Sequence, residues 1–590
     1  MPDQEGSTVG GVEHSAPFKM SSLTFNDGCP IDTSDASIVV LVGPNNAGKT
    51  RALQEMEQFL KQISVAPDTL FALSGVTIDK PMTGGDLARW FRANRALWQD
   101  PNDPRKQLIG GYGSGQFPLD QVFANWRQDQ IYLGTLASLL LRTLWCGERL
   151  NYLSPASRLE PGEMPNQPLQ FLISHQAVLE AYREAFRSAF GMNVIIDAWG
   201  NAIRIRLSRN STQDDFRVTS NNGLPDPEVT QRLNRLPLIE TQSDGVRSFS
   251  GILLTLMTGR FPLVLIDEPE AFLHPPQARL LGQHLARLHL DGQVFVATHS
   301  LDVLLGLMEA RPEEVLIIRL TRKADVTSSH ILEPSRLAAI WRDPFLRFSR
   351  ALDGLFHHGV VVCEGDTDCL FYSSVASRQR SEDSPSAGLD IMFTYAGGKH
   401  RVPLITRSLR AVGVPVRVVV DFDALREKEM LHALVEGIGS AYSASIERDR
   451  ALIDAHIRGS VPNLKVGPLK NTIDGILGSD PDRDVTRAVA DEVKKALQPS
   501  AGWRAAKEHG KGVVPSGDAS VAVERLLGRL QEIGVFVVPY GAVESFVRVV
   551  GGKGTEWAVA VIEGDHIAGA MEAHSFVDSL LNSLRVESTT

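Results

Sequence analysis

Two sets of residues in this 590-residue chain have the types and spacing to handle phosphate. The first is Gly43-Pro44-Asn45-Asn46-Ala47-Gly48-Lys49-Thr50, a Walker A pattern. Its glycines allow a backbone curl in which several N–H groups, those of Asn45 and Asn46 among them, point at an anion. Lys49 adds a point charge at the β- and γ-phosphates, and Thr50 offers a hydroxyl to Mg2+. Its complement is Leu263-Val264-Leu265-Ile266-Asp267-Glu268-Pro269-Glu270. There Asp267 can hold Mg2+ through water and Glu268 can polarise the attacking water. His299, after a further apolar run in Ala297-Thr298-His299-Ser300, is placed to sense the terminal phosphate.

The second set is carboxylate. Glu364 and Gly365 follow Val360-Val361-Val362-Cys363, and Asp368 lies shortly after them at an expected helix start. Asp421 and Asp423 close Val418-Val419-Val420, and strand alternation would turn Phe422 away and both aspartates to one side. Hard oxygen ligands at strand ends suit Mg2+ or Mn2+. Two such ions about 4 Å apart activate water and stabilise the leaving oxygen of a phosphodiester. Glu544 is a further candidate ligand, and Lys553 in Gly551-Gly552-Lys553-Gly554 is a cation for the scissile phosphate. A mobile surface turn is the plainer account of Lys553, and Gly397-Gly398-Lys399-His400 divides in the same way between phosphate contact and a turn that opens a helix.

Short apolar runs must position both sets, and their alternation with helical segments predicts an α/β fold with two parallel sheets. The pattern predicts a strand over 37–42, the glycine loop and a helix over 51–63, which is the context a P-loop requires. Strands are expected again at 263–266, 293–297 and 314–319, with 18–25 as an edge strand. Between 64 and 235 lies a long insertion. Leu133, Leu136, Leu140 and Leu144 there predict a core helix, followed by a helix at 176–190, a hairpin at 193–207 and a loop at 211–228. The expected organisation is a disordered tail (1–17), an ATPase domain (18–335), a polar linker (336–356) and a metal-binding domain (357–590) with a helical insertion at 425–530.

Composition sets bounds. Hydrophobic residues make up 43% and charged residues 22%, which is ordinary for a globular chain of two to four domains. No apolar run approaches the ~20 residues of a membrane span. Four cysteines without CxxC spacing argue against zinc and disulfides and for a reducing cytoplasm. A net charge of −10 does not exclude nucleic acid, because a local basic groove outweighs the sum.

Asp267-Glu268-Pro269 with a trailing His resembles the ATP-binding-cassette ATPases. Ser243-Asp244-Gly245-Val246-Arg247 resembles a degenerate form of their signature loop, with a helix expected from Ser248. That resemblance implies ATP sites shared across a dimer, with Ser243 and Gly245 meeting a partner's nucleotide; an ordinary helix cap explains the segment too. Glu-Gly with a downstream Asp-x-Asp resembles the Toprim fold. Together, an ABC-type ATPase and a C-terminal Toprim domain resemble the OLD (overcoming lysogenisation defect) family, to which the Gabija nuclease subunit and retron-associated effectors belong. Glu270-Ala271-Phe272-Leu273-His274-Pro275 agrees with that family's ATPases. The resemblance implies ATP and Mg2+ or Mn2+ as cofactors, and the residues read above make Glu268, His299, Glu364 and Lys553 the catalytic candidates. Glu364, Asp368, Asp421, Asp423 and Glu544 would be metal ligands. It also implies a dimerisation element at 176–210, a homodimer or higher homo-oligomer, DNA as substrate, and a role in anti-phage defence with a defence-system partner or retron RNA/DNA. The rival readings are an ATPase scaffold whose Toprim domain cuts RNA such as tRNA, and a DNA-repair ATPase that does not cut.

Overall fold

The computed structural model describes residues 16–589 apart from short stretches within 63–131, residues 161–164, 217–225, 260, 289–291 and 324, most of 333–349, 380–389, and most of 460–501. The N-terminal tail expected to be disordered and the centre of the 425–530 insertion therefore lie largely outside the described residues. The chain divides between residues 347 and 348 into two compact units. Among the described residues no helix is long and apolar enough to cross a membrane.

The first unit is built on six strands: β1 (Ile38–Val42), β2 (Leu141–Leu144), β3 (Leu263–Asp267), β4 (Gln293–Ala297), β5 (Val315–Lys323) and β6 (Val326–Leu332). Their order is β6-β5-β1-β4-β3-β2, parallel throughout except for the β5–β6 hairpin. Every residue of β1, β3 and β4 is buried, as expected of parallel strands covered on both faces. Register then does the positioning. Asp267 pairs with Ala297, and Ala297 with Leu41, so the turns after β1, β3 and β4 open side by side. Helix α1 (Lys49–Lys61) continues directly from the glycine loop.

Several expectations need correction. The strand Lys19–Phe25 is central, between Pro30–Asp32 and Leu73–Asp79, because both of its edges are paired. The leucine stripe is not one helix. Leu136 ends a 3-10 turn, Leu140 ends a four-residue helix, and Leu144 belongs to β2, which pairs with β3 in the main sheet. All four leucines are buried, and a short apolar run satisfies helical and extended spacing equally well. The strand expected at 314–319 runs on to Lys323 and turns back: β5 and β6 pair over seven residue pairs. The stretch read as a loop at 211–228 contains a 3-10 turn (Gln213–Phe216) and the start of a helix (Pro227–Asn234). Helix α2 (Gln176–Phe190) and the hairpin Asn193–Asp197/Ala202–Ser208 lie where periodicity put them. Helix α3 (Asp244–Thr258) begins four residues earlier than expected, with Ser243 as its N-cap.

The second unit carries a four-stranded parallel sheet of β7 (Gly359–Cys363), β8 (Ile391–Tyr395), β9 (Val416–Val420) and β10 (Val535–Val537), ordered β8-β7-β9-β10. The chain builds outward from β7 first to one side and then to the other. The strand order therefore reverses between β7 and β9, and the crevice beyond their carboxyl ends is where open α/β sheets place ligands. The 425–530 insertion connects β9 to β10 and contains α4 (Ala444–Gly459), α5 (Gly502–His509) and α6 (Asp518–Glu532). Buried Asp449 on α4 accepts paired hydrogen bonds from Arg525 at 2.6 and 2.7 Å and one from Arg529 at 3.2 Å, locking α4 to α6.

In the first unit, the helices Pro275–Leu288 and Leu301–Ala310 cross at two glycines. A Cβ on Gly306 would lie 2.1 Å from the Arg279 carbonyl oxygen, and one on Gly282 would lie 2.4 Å from that of Val303. Alanine at 306 would gain about 1 kcal/mol of helix propensity. Forcing the backbones apart costs about 1–3 kcal/mol or more, and should win. Gly306→Ala is therefore expected to lower the melting temperature of the first unit by calorimetry, whereas an exposed control such as Gly85→Ala should not.

Candidate functional sites

The loop after β1 is shaped by its neighbours. Gly43 has φ 143°, and a Cβ there would lie 2.2 Å from the Leu320 carbonyl oxygen of β5, so only glycine passes. Asn46 and Gly48 also have positive φ, at 62° and 94°, and the Asn45 and Asn46 side chains are exposed on the rim. Buried Lys49 donates to the Gly43 and Pro44 carbonyl oxygens, both at 2.9 Å. Burial pushes its ammonium down to about 8, against the pull of Glu268, Glu270 and Asp267. Thr50 donates to Asp267 at 2.8 Å, so the hydroxyl and the carboxylate expected to share Mg2+ already face each other.

Glu268 takes a left-handed turn with φ 44°, its N–H bonded to the Ala297 carbonyl oxygen at 2.8 Å and its carboxylate half exposed. His299 Nε2 stands 3.9 Å from that carboxylate. Burial, then Lys49, hold the His299 imidazole down to about 4, so it is neutral near pH 7 and acts through hydrogen bonds rather than charge. Glu270 is partly buried and organises the next turn, accepting from the Thr298 hydroxyl at 2.8 Å and the His299 N–H at 2.7 Å. Ser243 and Gly245 start α3 in the same unit. A Cβ on Gly245 would lie 2.3 Å from the Phe272 carbonyl oxygen, so close packing explains this glycine without a ligand.

Arg149 was not legible in the sequence. It is fully buried, and its guanidinium donates to the main-chain oxygens of Asp267 and Glu268, each at 2.7 Å. It lies in the stretch read as an insertion and belongs to no motif, so only the fold brings it to this turn.

In the second unit a cleft of about 840 Å3 opens at the reversal of strand order, and Glu364, Asp368, Asp421, Glu544 and Lys553 all line it. The aspartates share a side for a different reason from the one expected. Strand β9 stops at Val420, and Asp421 caps a 3-10 turn (Phe422–Arg426) that buries Phe422 and turns Asp423 back. Glu364 accepts the Asp421 N–H at 3.1 Å, and Asp368 accepts the Gly365 N–H at 2.9 Å. Glu544 accepts the Gly554 N–H at 3.1 Å, and the largely exposed Lys553 stands 3.4 Å from Glu508. Gly397 and Gly398 line the cleft, but Lys399 pairs with Glu427 at 2.9 Å.

Burial is the first cause of raised proton affinity here, and neighbouring carboxylates add to it. Glu364 is pushed up to about 8, Asp421 to about 7 and Asp368 to about 6. One oxygen of Asp423 is buried without a hydrogen-bond partner. Hard, under-compensated oxygen donors of this kind fit a divalent cation in chemistry and charge. As placed, though, no three acidic, histidine or cysteine side chains among the described residues form a closed ligand set. Instead Lys507, from the insertion, puts its ammonium 3.1 Å from Asp421 and 3.9 Å from Asp423. Lys507 and Glu508 escaped the sequence reading because their segment has no motif.

Two family models match the chain. Residues 165–306 match "AAA domain, putative AbiEii toxin, Type IV TA system". Residues 355–423 match "Overcoming lysogenization defect protein-like, TOPRIM domain", a span that includes Glu364, Asp368, Asp421 and Asp423. No curated protein matches. Solved structures similar to the chain include an SMC head bound to the C-terminal winged-helix domain of ScpA. It is 12% identical, covers 53% of this chain and 98% of that one, and has a TM-score of 0.33. The SMC head domain of Thermotoga maritima is 14% identical over 53% and 99%, with a TM-score of 0.28. An SMC head from Pyrococcus furiosus with an extended coiled coil is 11% identical over 55% and 99%, with a TM-score of 0.33. At such values the fold rests on the sheet order and loop geometry above.

The raised proton affinity of Glu364 has a sign. A folded value near 8 against an ordinary 4.5 means that stability present below about pH 4 is lost as pH rises toward 8. Glu364→Gln keeps an acceptor for the Asp421 N–H and removes the charge. In EDTA it should melt like the wild type near pH 4 and several degrees higher at pH 8; equal melting at pH 8 would show that the crowding is not felt.

Proposed function

We propose that this protein, an ATPase–Toprim chain of the OLD family, is an ATP-regulated, divalent-metal-dependent endonuclease that cuts DNA. The observation that carries the reading is the gathering of part-buried carboxylates with raised proton affinity at the strand-order reversal of a parallel sheet. In this reading Glu364, Asp368, Asp421 and Asp423, with Glu544 beside them, hold Mg2+ or Mn2+. When bound, the metal supplies a Lewis acid for the phosphodiester and lowers the pKa of water. Glu364, which binds a proton near neutral pH, accepts the proton of the attacking water or returns one to the leaving oxygen. Lys553, largely exposed at the rim, sets a positive charge beside the scissile phosphate.

In the ATPase unit, Lys49 and the loop N–H groups, including those of Asn45, Asn46 and Gly48, bind the phosphates. Thr50 and Asp267 orient the nucleotide's metal, Glu268 polarises the hydrolytic water, and neutral His299 hydrogen-bonds the terminal phosphate. Ser243 and Gly245 at the start of α3 are assigned to a partner protomer's nucleotide, so that ATP joins two heads. Phe272, exposed beside Gly245, supports a contact surface there. Helix α2 and the hairpin after it are the assigned dimerisation element. Anti-phage defence is the setting we attach to this reading, on the resemblance to OLD-type proteins alone.

With Mn2+, the protein should nick or cut plasmid DNA and leave tRNA intact; cleavage of tRNA alone would transfer the assignment to RNA. Asp421→Asn should reduce cutting at least about a hundredfold, as loss of a metal ligand does, while ATP turnover persists. Wild-type cutting by that variant would refute the site. Lys49→Ala should abolish ATP binding by calorimetry, and Arg149→Ala should slow ATP hydrolysis about tenfold or more with binding retained, because its target is the catalytic turn.

A further inference from the structure

The helical insertion between β9 and β10 reaches back to the acidic cleft, and its attachment is tight. A Cβ on Gly502 would lie 1.9 Å from the Ile457 carbonyl oxygen of α4, so α5 is pressed against that helix. A Cβ on Gly510 would lie 2.1 Å from the Pro539 oxygen, and one on Gly541 would lie 2.4 Å from the Lys507 oxygen. The Lys511 N–H donates to Pro539 at 2.8 Å, and the Phe422 N–H donates to Gly541 at 2.8 Å. The Trp503 indole donates to Asp454 at 2.7 Å and packs near Phe422. One backbone seam thus joins the end of α5, the loop after β10 and the turn that carries Asp421 and Asp423. Lys507, on the last turn of α5, delivers its ammonium to both aspartates, while its side chain remains half exposed.

We infer that Lys507 is a built-in cation of the acidic site, which competes with a divalent metal ion for Asp421 and Asp423. The inference rests on the metal-dependent reading above and adds to it a control on metal occupancy supplied by the insertion. A lysine at 3.1 Å satisfies one oxygen of Asp421 and neutralises charge, but it is monovalent and leaves a buried Asp423 oxygen unpartnered. A divalent ion can satisfy several oxygens at once, and it gains them only by moving the ammonium away. Lys507 therefore tempers carboxylate repulsion without metal and weakens metal binding on this side. It acts through the aspartates and is a positioning residue.

Titration calorimetry with Mn2+ alone, on the full chain without nucleotide, reads this directly and does not depend on cutting. Lys507→Met is expected to bind Mn2+ about tenfold more tightly or better, the factor that ~1.4 kcal/mol represents. Lys507→Arg should stay near the wild-type value. Lys511→Met, which removes a charge from the same segment but one that pairs with Glu524, should also leave affinity unchanged and so exclude a general charge effect. A melting curve in EDTA establishes that each variant is folded. Equal or weaker Mn2+ binding by folded Lys507→Met overturns the inference, as does an equal gain in Lys511→Met. Wild-type binding that Asp421→Asn and Glu364→Gln abolish, with Lys507→Met unchanged, would sink this inference and leave the nuclease reading standing. Binding insensitive to those two substitutions would sink the nuclease reading itself.

Discussion

Negative charge concentrated against a buried parallel sheet is the constraint around which the second unit is organised. Strands β7 and β9 are buried along their whole length and neighbour each other, so the first residues beyond them are forced together. Those residues are Glu364 and Asp421. The fold answers the resulting repulsion with main-chain donors: Asp421 to Glu364, Gly365 to Asp368 and Gly554 to Glu544. Neutral N–H groups stabilise a carboxylate but do not cancel it. The proton affinities of Glu364, Asp368 and Asp421 stay high, and Lys507 enters from a distant part of the chain.

The ATPase unit meets a related problem with a different balance. Lys49 is buried beside Asp267, Glu268 and Glu270, and positive and negative groups share one pocket. Two of the three acids there have hydrogen-bond partners. Asp267 takes the Thr50 hydroxyl, and Glu270 takes Thr298 and the His299 N–H. Glu268 alone remains half exposed, held by a left-handed backbone rather than by a side-chain bond. The acid free to meet water is one whose backbone is tied at both its N–H and its carbonyl oxygen.

Much of this was legible in the sequence because the chemistry is local. A glycine loop must follow a strand and open a helix, and carboxylates beyond β-branched runs must sit at strand ends. The strand runs at 38–42, 263–267, 293–297, 359–363 and 416–420 were therefore readable. What escaped depends on contacts distant in sequence. Leu144 reads as the next turn of a helix until a place beside β3 makes it a strand residue. Lys19–Phe25 reads as an edge until Leu73–Asp79 pairs with its far side. Asp421 and Asp423 share a side through a 3-10 turn, where alternation along a strand was the expected cause. Arg149 and Lys507 stand in segments without motif, and only tertiary packing shows what they hold.

The position of β2 changes how the long interruption in the ATPase unit must be understood. This strand completes the main sheet, and the turn just after it supplies Arg149 to the backbone of Asp267 and Glu268. The interval between 64 and 235 is thus two separate excursions on either side of an indispensable fragment of the enzyme's frame. Trimming the interval as one block would remove an edge strand and the clasp on the turn after β3 together.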